Sequence, residues 1–265
     1  MSAQHYDDLD PLYRSTWGTS LHHGLWITGR ESPTLAKAQL IDTLRPHLPT
    51  CGTLADIGCG YGQLAHQLVQ AHPHLQIHAC THSQKQASAI PNHPRLHPHH
   101  RDWLQHPLPP ASLDAALALE SLSHFPDFDT ALQKTAAALR PGGTLIIADW
   151  FGTDSPLLRH LAASAHLPPW RPLPHFLEIA ARHGLHPVHH YDLTAKVAPT
   201  WTALFWQSLL LPIKKPRLLP TLIHQTLRRP SLLWAAPLIR LSYQNRTLTY
   251  HLLTLKKQPT PNSNQ

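Results

Sequence analysis

Helical and strand-length apolar patterns alternate along the first two thirds of this chain, and the alternation predicts its elements. Residues 5–17 read as a helix and 18–30 as a loop built around Leu21-His22-His23-Gly24-Leu25-Trp26. Ser32-Pro33 opens a helix that runs to about residue 45, with Ser as cap and Pro in the first turn. Residues 54–57 form a first strand, 63–71 the helix after it, 76–80 a second strand and 83–90 the next helix. A short third strand falls at 95–97, and the near-continuous apolar run 113–119 fits a parallel strand covered on both faces. A helix over 127–140 stops at Pro141-Gly142-Gly143, where glycine permits a tight reversal into a buried strand at 144–148. A helix at 176–183 is closed by Gly184, and a sixth strand follows at 186–191. Strands spaced by helices predict an α/β chain with a doubly wound parallel sheet.

The pattern changes beyond residue 192. Residues 195–245 read as helical pieces broken by Pro199, Pro212, Pro216, Pro220, Pro230 and Pro237, and 248–255 as a last strand. Trp201, Leu204, Phe205, Leu209 and Leu210 fall at helical spacing and make an amphipathic face. The charge changes at the same place: Asp192 is the last acid, and ten Lys or Arg follow it, leaving a net charge of −3 for residues 1–192 although the whole chain carries +7. Three readings of this basic quarter stay open. It can be a helical lid with solvated basic residues, a surface in peripheral contact with an anionic bilayer, or a nucleic-acid face. The last is disfavoured, because no D-P-P-Y-like motif follows the fourth strand.

A length of 265 residues suits one α/β domain with an appended lid. Cys51, Cys59 and Cys80 form no C-x-x-C pair, and the first eight residues show neither a basic nor an apolar leader pattern, so a cytoplasmic protein is expected. Histidine is abundant, 24 residues, and His93, His97, His99 and His100 cluster. No H-E-x-x-H or Cys/His zinc spacing is present, and no metal is expected.

The chemistry is concentrated in Asp56-Ile57-Gly58-Cys59-Gly60-Tyr61-Gly62, where an apolar strand ends in an acid and a glycine-laced turn. Glycine lets backbone pass close to a ligand, and the helix that follows presents free N–H groups that hold a carboxylate. A dinucleotide loop spaces its glycines G-x-G-x-x-G, whereas here they fall at every second position. Asp56 adds a negative charge suited to an ammonium. Taken alone, the segment is also compatible with an ordinary strand-turn-helix.

The run Leu54 to Ala65 resembles motif I of the class I S-adenosylmethionine-dependent methyltransferases, and further segments resemble the same family in the same order. The resemblance implies a Rossmann-like, doubly wound seven-stranded sheet, mostly parallel with the last strand antiparallel, and a helical lid. It implies S-adenosylmethionine as cofactor, held by Asp56, Gly58, Cys59, Gly60 and Gly62. Thr81-His82-Ser83-Gln84-Lys85-Gln86 lacks the ribose-binding acid of most members and is similar to the T-x-S-x-x-Q variant of the tocopherol methyltransferase and cyclopropane fatty acid synthase branches. Thr81, His82 and Gln86 would then replace a carboxylate, although Thr and Ser here also suit a helix cap. Asp102 and Trp103 resemble the adenine-contacting pair after the third strand, the alternative being a solvated Asp beside a core Trp.

Glu120-Ser121-Leu122-Ser123-His124 resembles the E-S-x-x-H segment of small-molecule members, with Glu120 beside the cofactor and His124 facing the transferred methyl. His124 is a general base or a packed histidine on this reading. Tyr6-Asp7, Trp17-Gly18 and His22-His23-Gly24-Leu25-Trp26 resemble the arm that covers the cofactor in tocopherol methyltransferase-like enzymes, which makes Tyr6, His22, His23 and Trp26 candidates to close the site. The chain also departs from the branch: His23 stands where cyclopropane synthases carry Cys, and Ser123 where both groups carry Glu. Cyclopropanation is thereby disfavoured.

The expectation is one methyltransferase domain over 1–257, made of an arm (1–31), a cofactor-binding core (32–150) and a lid with the last strands (151–257), followed by a disordered tail over 258–265. The expected reaction is O- or C-methylation of a small hydrophobic, aromatic or prenylated acceptor. A non-catalytic cofactor-binding module, or an enzyme of lipid or nucleic acid that uses the basic quarter, is the alternative. Oligomeric state and acceptor identity are left open by the sequence.

Overall fold

The computed structural model describes residues 17–18, 20–165, 167–218, 220, 223–224 and 232–258. The expected helix at 5–17, with Tyr6, and most of the expected tail lie outside these residues; Trp17 itself sits in a turn. Helix α1 (Pro33–Leu44) starts as anticipated, with Ser32 Oγ accepting from Leu35 N–H. Then come β1 (Cys51–Ile57), α2 (Gln63–Ala71), β2 (His74–Thr81), α3 (Gln84–Ala89), β3 (Leu96–His100) and β4 (Leu113–Leu119). They are followed by α4 (Phe128–Ala138), β5 (Leu139–Gly152), α5 (Pro156–Ser164), α6 (Leu173–Arg182) and β6 (Leu185–Asp192). The lid region holds α7 (Thr194–Val197), α8 (Pro199–Lys214) and α9 (Leu232–Gln244), and β7 (Leu248–Lys257) closes the order.

The seven strands form one sheet in the order β3-β2-β1-β4-β5-β7-β6. β1, β2, β3, β4 and β5 are mutually parallel, while β7 runs antiparallel between β5 and β6. Side chains alternate across the sheet, so neighbours such as Leu54 and Ala55, or Leu252 and Leu253, serve opposite cores. One core packs α1, α2, α5 and α9 through Leu40, Leu68, Leu161 and Ile239. The other packs α4 and α6 through Leu132 and Ile179. Burial on both faces is why β4 is an unbroken apolar run, and the order reverses between β1 and β4, which opens a crevice at their C-terminal ends.

Several elements differ from the expectation. β1 starts at Cys51, three residues early, because Cys51, Gly52 and Thr53 pair in register with His74, Leu75 and Gln76. The Pro141-Gly142-Gly143 reversal lies inside β5 rather than between elements. Leu113 pairs with Leu139 and Ala115 with Thr144, so the extra residues of β5 bulge out between those pairs, with Gly142 at φ 78°. Pro212 and Pro237 sit inside α8 and α9 instead of ending them. Each costs about 3 kcal/mol in a helix interior, and burial of Leu204, Leu211, Ile239 and Tyr243 offsets that cost. Helix α5 carried no sequence expectation; Ser155 caps it by accepting from Leu158 N–H.

Candidate active site

A cavity of about 450 Å³ opens on the strand ends at the β1–β4 reversal. One wall comes from the loops after β1, β2 and β3. Gly58 has φ 78°, its N–H donates to Cys80 O at 2.8 Å, and a Cβ on it would lie 2.5 Å from Ser121 Cβ, so only glycine fits there. Gly60, at φ 56°, lines the cavity, and a Cβ on it would meet nothing within 4 Å. Cys59 and Gly62 do not line it: Cys59 Sγ turns to Gly60 O, and Gly62 opens α2 in left-handed conformation against Ile90.

Asp56 lies beneath this loop at 4% exposure, and no hydrogen bond to its carboxylate occurs among the described residues. Burial alone pushes its carboxyl up to about 7. Thr81 Oγ1 donates to Gln86 Oε1 at 2.7 Å, a buried neutral pair on the cavity wall. Thr81 Oγ1 and Ser83 Oγ also accept backbone N–H groups at the start of α3, so the helix-cap reading of this segment is met. His82 and Asp102 line the cavity, with Asp102 Oδ1 accepting from Leu104 N–H at 2.9 Å. Trp103 is buried, and its indole donates to Thr135 Oγ1 at 3.0 Å, which holds the ring in place.

The opposite wall gathers residues from distant segments: Trp17 and Leu21 of the arm, His124 and Phe125 after β4, Trp150 and Trp170 around the end of β5, Trp201 of α8, and Ala235 and Ile239 of α9. At its base Glu120 adopts φ 51° and accepts from His23 N–H (2.7 Å), from His23 Nδ1 (2.8 Å) and from Tyr250 OH (2.8 Å). Trp201 Nε1 donates to His23 Nε2 at 2.8 Å. An indole N–H only donates, so Nδ1 of His23 carries the proton it gives to Glu120. Burial would raise the Glu120 carboxyl, but the hydrogen bonds it accepts from the facing His23 oppose this, and Glu120 lies below the ordinary carboxylate value. Glu120 and His23 are thus brought together, yet their polar atoms are spent on each other and on the lid.

His22 and Trp26 are not on this cavity. They line a second one, about 490 Å³, between the arm, α1 and α8. His22 Nδ1 is bonded to His23 O at 2.8 Å, and burial lowers its pKa. Trp26 donates to Thr200 Oγ1 at 3.0 Å. The arm therefore docks through these side chains and does not present them to the cavity. Among the described residues no group of three or more His, Cys, Asp or Glu is placed to hold a metal. His78 and His99 pair with each other at 2.9 Å on the β2–β3 edge.

Sequence reasoning missed Trp150, Trp170, Tyr243 and Tyr250. None lies in a local motif, and only contacts between distant segments, such as Trp150 beside Tyr250 across the sheet or Tyr243 against His23, reveal them.

Residues 55–145 match the family model described as a methyltransferase domain. The 27-O-demethylrifamycin SV methyltransferase of Amycolatopsis mediterranei is 35% identical over 162 residues, 57% of this chain and 58% of that protein. An O-methyltransferase of Aspergillus nomiae is 30% identical over 156 residues, covering 55% of this chain and 69% of that one. This chain belongs to the class I S-adenosylmethionine-dependent methyltransferases. A probable tocopherol O-methyltransferase of Oryza sativa is also similar, 24% identical over 242 residues, 77% of this chain and 66% of that protein. The chain thus spans less than two thirds of the rifamycin and tocopherol relatives it matches. The fold of this methyltransferase is shared with a cyclopropane synthase of Mycobacterium tuberculosis at TM-score 0.79, 18% identity and 96% coverage of both chains. The resemblance first read from residues 54–65 and the segments after it therefore holds at the level of the family.

Proposed function

We propose that this methyltransferase transfers a methyl group from S-adenosylmethionine to the oxygen or carbon of a small, largely apolar acceptor, aromatic or prenylated, and acts in the cytoplasm. The observation that carries the proposal is the division of one cavity: its strand-end wall holds Gly60, Thr81, Gln86 and Asp102, while its lid wall is Trp17, Phe125, Trp150, Trp170 and Trp201. The polar wall fits the cofactor. A buried carboxylate without a hydrogen-bond partner among the described residues, Asp56, suits the ammonium group, the neutral Thr81–Gln86 pair suits the ribose hydroxyls, and Asp102 with the fixed Trp103 ring suits the purine. S-adenosylmethionine supplies an electrophilic methyl on a sulfonium when bound.

The lid wall does the rest of the work. Its aromatic rings exclude water and tolerate a nearby sulfonium. Alignment of acceptor and methyl supplies most of the rate in an in-line transfer, so a rigid wall matters more than acid–base chemistry. Glu120 and His23 act in this reading by fastening arm, lid and sheet together. His124 is the cavity residue suited to accept a proton from a hydroxyl acceptor. The arm, the core to residue 150 and the lid with the last strands then work as one domain. Relatives named for rifamycin and tocopherol support a small organic acceptor.

The test is turnover with a panel of phenols, prenylated quinols, amines and fatty acyl lipids. Methylated phenol or quinol is expected; cofactor binding with no product from any of them would replace the enzyme with a binding module.

The outer face of the lid favours a bilayer as the place where the acceptor is met. Trp206, Leu209, Leu210 and Ile213 form an exposed stripe at i, i+3, i+4 and i+7 on α8, with Ile213 79% exposed. Lys214, Lys215 and Arg217 follow directly, and Trp234 of α9 is 66% exposed. No helix among the described residues is long and apolar enough to cross a membrane, so the contact is peripheral.

A further inference from the structure

The second cavity, about 490 Å³ between the arm, α1 and α8, combines an apolar lining with two polar groups that have capacity to spare. Its walls are fixed by backbone pairing: Leu25 N–H donates to Ala36 O at 2.7 Å, and Trp26 N–H to Lys196 O at 2.8 Å. The Trp26 ring, anchored on Thr200 Oγ1, supplies apolar lining together with Ile41 and Leu204. The cavity opens to solvent past Thr34, Asp42 and Gln67, all of them exposed.

His22 is the first of the polar groups and is only 9% exposed. Its Nδ1 faces His23 O, a carbonyl that can only accept, so Nδ1 carries the proton. Burial lowers the pKa of His22, which keeps the ring neutral and leaves Nε2 as an acceptor. No hydrogen bond to that nitrogen occurs among the described residues. A buried polar atom of this kind normally finds a partner.

Lys37 of α1 is the second. Its ammonium donates to Trp17 O and, at 2.6 Å, to Ser20 O, and it stands 5.4 Å from the centroid of the Trp17 ring. One of its three N–H groups is therefore not used in a hydrogen bond. Burial lowers Lys37 to about 8, so it is charged at neutral pH, and its charge acts on His22.

An acceptor close to a cationic donor narrows the chemistry of an occupant. A carboxylate can pair with Lys37 but has no proton for His22, and the charge of Glu120, which acts on both residues, opposes it. An ammonium is repelled by Lys37. A hydroxyl serves both groups. We propose that this cavity is a second ligand site, separate from the cofactor and acceptor cavity, and that it takes an uncharged alcohol with a compact apolar body: hydroxyl donates to His22 Nε2 and accepts from Lys37 Nζ, while the body lies against Trp26, Ile41 and Leu204. The site adjoins the acceptor wall, because Trp17 lines both cavities and meets Trp201 edge-on at 6.0 Å.

Cyclohexanol, methoxycyclohexane and cyclohexanecarboxylate are the probes, since they share a ring and only the first donates and accepts without charge. In the full chain labelled with 15N-tryptophan, the Trp26 indole signal, assigned by W26F, reports on this cavity alone, because Trp26 does not line the main one. At pH 7 cyclohexanol is expected to shift that signal saturably and to bind at least about tenfold more tightly than either other probe, which leaves His22 unpaired. H22F keeps an aromatic ring, removes the acceptor and is expected to bring the preference over the ether below about threefold. The comparison of probes in the parent protein stands whatever the stability of the variant. Ether or carboxylate binding at Trp26 as tightly as cyclohexanol, a Trp26 signal that does not saturate, or a preference unchanged in H22F overturns the site. No methyl transfer is read, so the outcome is independent of the enzyme assignment, which the turnover panel decides.

Discussion

The two walls of the main cavity are built by opposite means. The wall proposed for the cofactor comes from the loops after three consecutive strands, β1, β2 and β3, within residues 57–104, shaped by local features such as glycine at Gly58 against Ser121 or the Thr81–Gln86 pair. The acceptor wall draws on residues from Trp17 to Ile239, and no two neighbouring segments suffice to make it. Its integrity rests on one buried cluster, Glu120 with His23, Tyr250 and Trp201. The contrast teaches that, on the proposed reading, cofactor binding and shaping of the acceptor space rest on separate parts of the chain, with Glu120 where arm, sheet and lid meet.

The largest effect on that division is expected from Glu120→Ala. It strands the His23 ring and the Tyr250 hydroxyl in a buried site, and breaking such a pair costs about 3–5 kcal/mol. Urea unfolding measures it, and a loss below about 1 kcal/mol would show that the arm and lid dock without this cluster.

Asp56→Asn is expected to move stability and binding in opposite directions. The Asp56 carboxyl is raised to about 7 in the fold by burial, against 3.8 ordinarily. Between those values the unfolded chain has released a proton that the folded chain keeps, so the stabilisation present below about 4 is lost as pH rises through about 7. The uncharged variant escapes that loss. Without cofactor it converges with the parent towards pH 4 and exceeds it at pH 8 by up to about 4 kcal/mol. Its affinity for S-adenosylmethionine at pH 8 falls by at least about 30-fold in calorimetry, as for loss of one member of a buried charge pair. Equal affinity in both proteins would remove Asp56 from the cofactor site.

His124→Ala probes the acceptor wall alone. Turnover on a hydroxyl acceptor is expected to drop about 100-fold while cofactor affinity stays the same. Unchanged turnover would make His124 a packing residue.

The smallest effect concerns the outer lid. Replacing Lys214 and Lys215 by Glu should weaken flotation with anionic liposomes by roughly 1 kcal/mol per removed positive charge or more, leaving neutral liposomes unaffected. Flotation independent of lipid charge, and equally of Ile213→Asp, would leave the stripe without a bilayer role.

Legibility in the sequence followed the same boundary as the two walls. Helix α2 and strand β4 appear with the bounds that their apolar period predicts, because glycine punctuation and burial on both faces are local signals. Pro212 and Pro237 misled, since a proline reads as a break unless the energy of packing the rest of the helix is known. His22 and His23 read as one pair of site residues, yet adjacent side chains of an extended arm face different sides. His23 reaches Glu120, and His22 turns to the second cavity.

Taken by itself, the sequence determined the family, the glycine-laced turn after β1 and the alternation of strands and helices, because turn chemistry, caps and periodicity act over a few residues. Only the tertiary structure decided that Glu120 is occupied by His23 and that Trp17, Trp150, Trp170 and Trp201 meet on one wall of the cavity. Those features arise where β5 pairs with β7 and the lid helices pack on the sheet, contacts between residues about a hundred or more positions apart that no local pattern encodes.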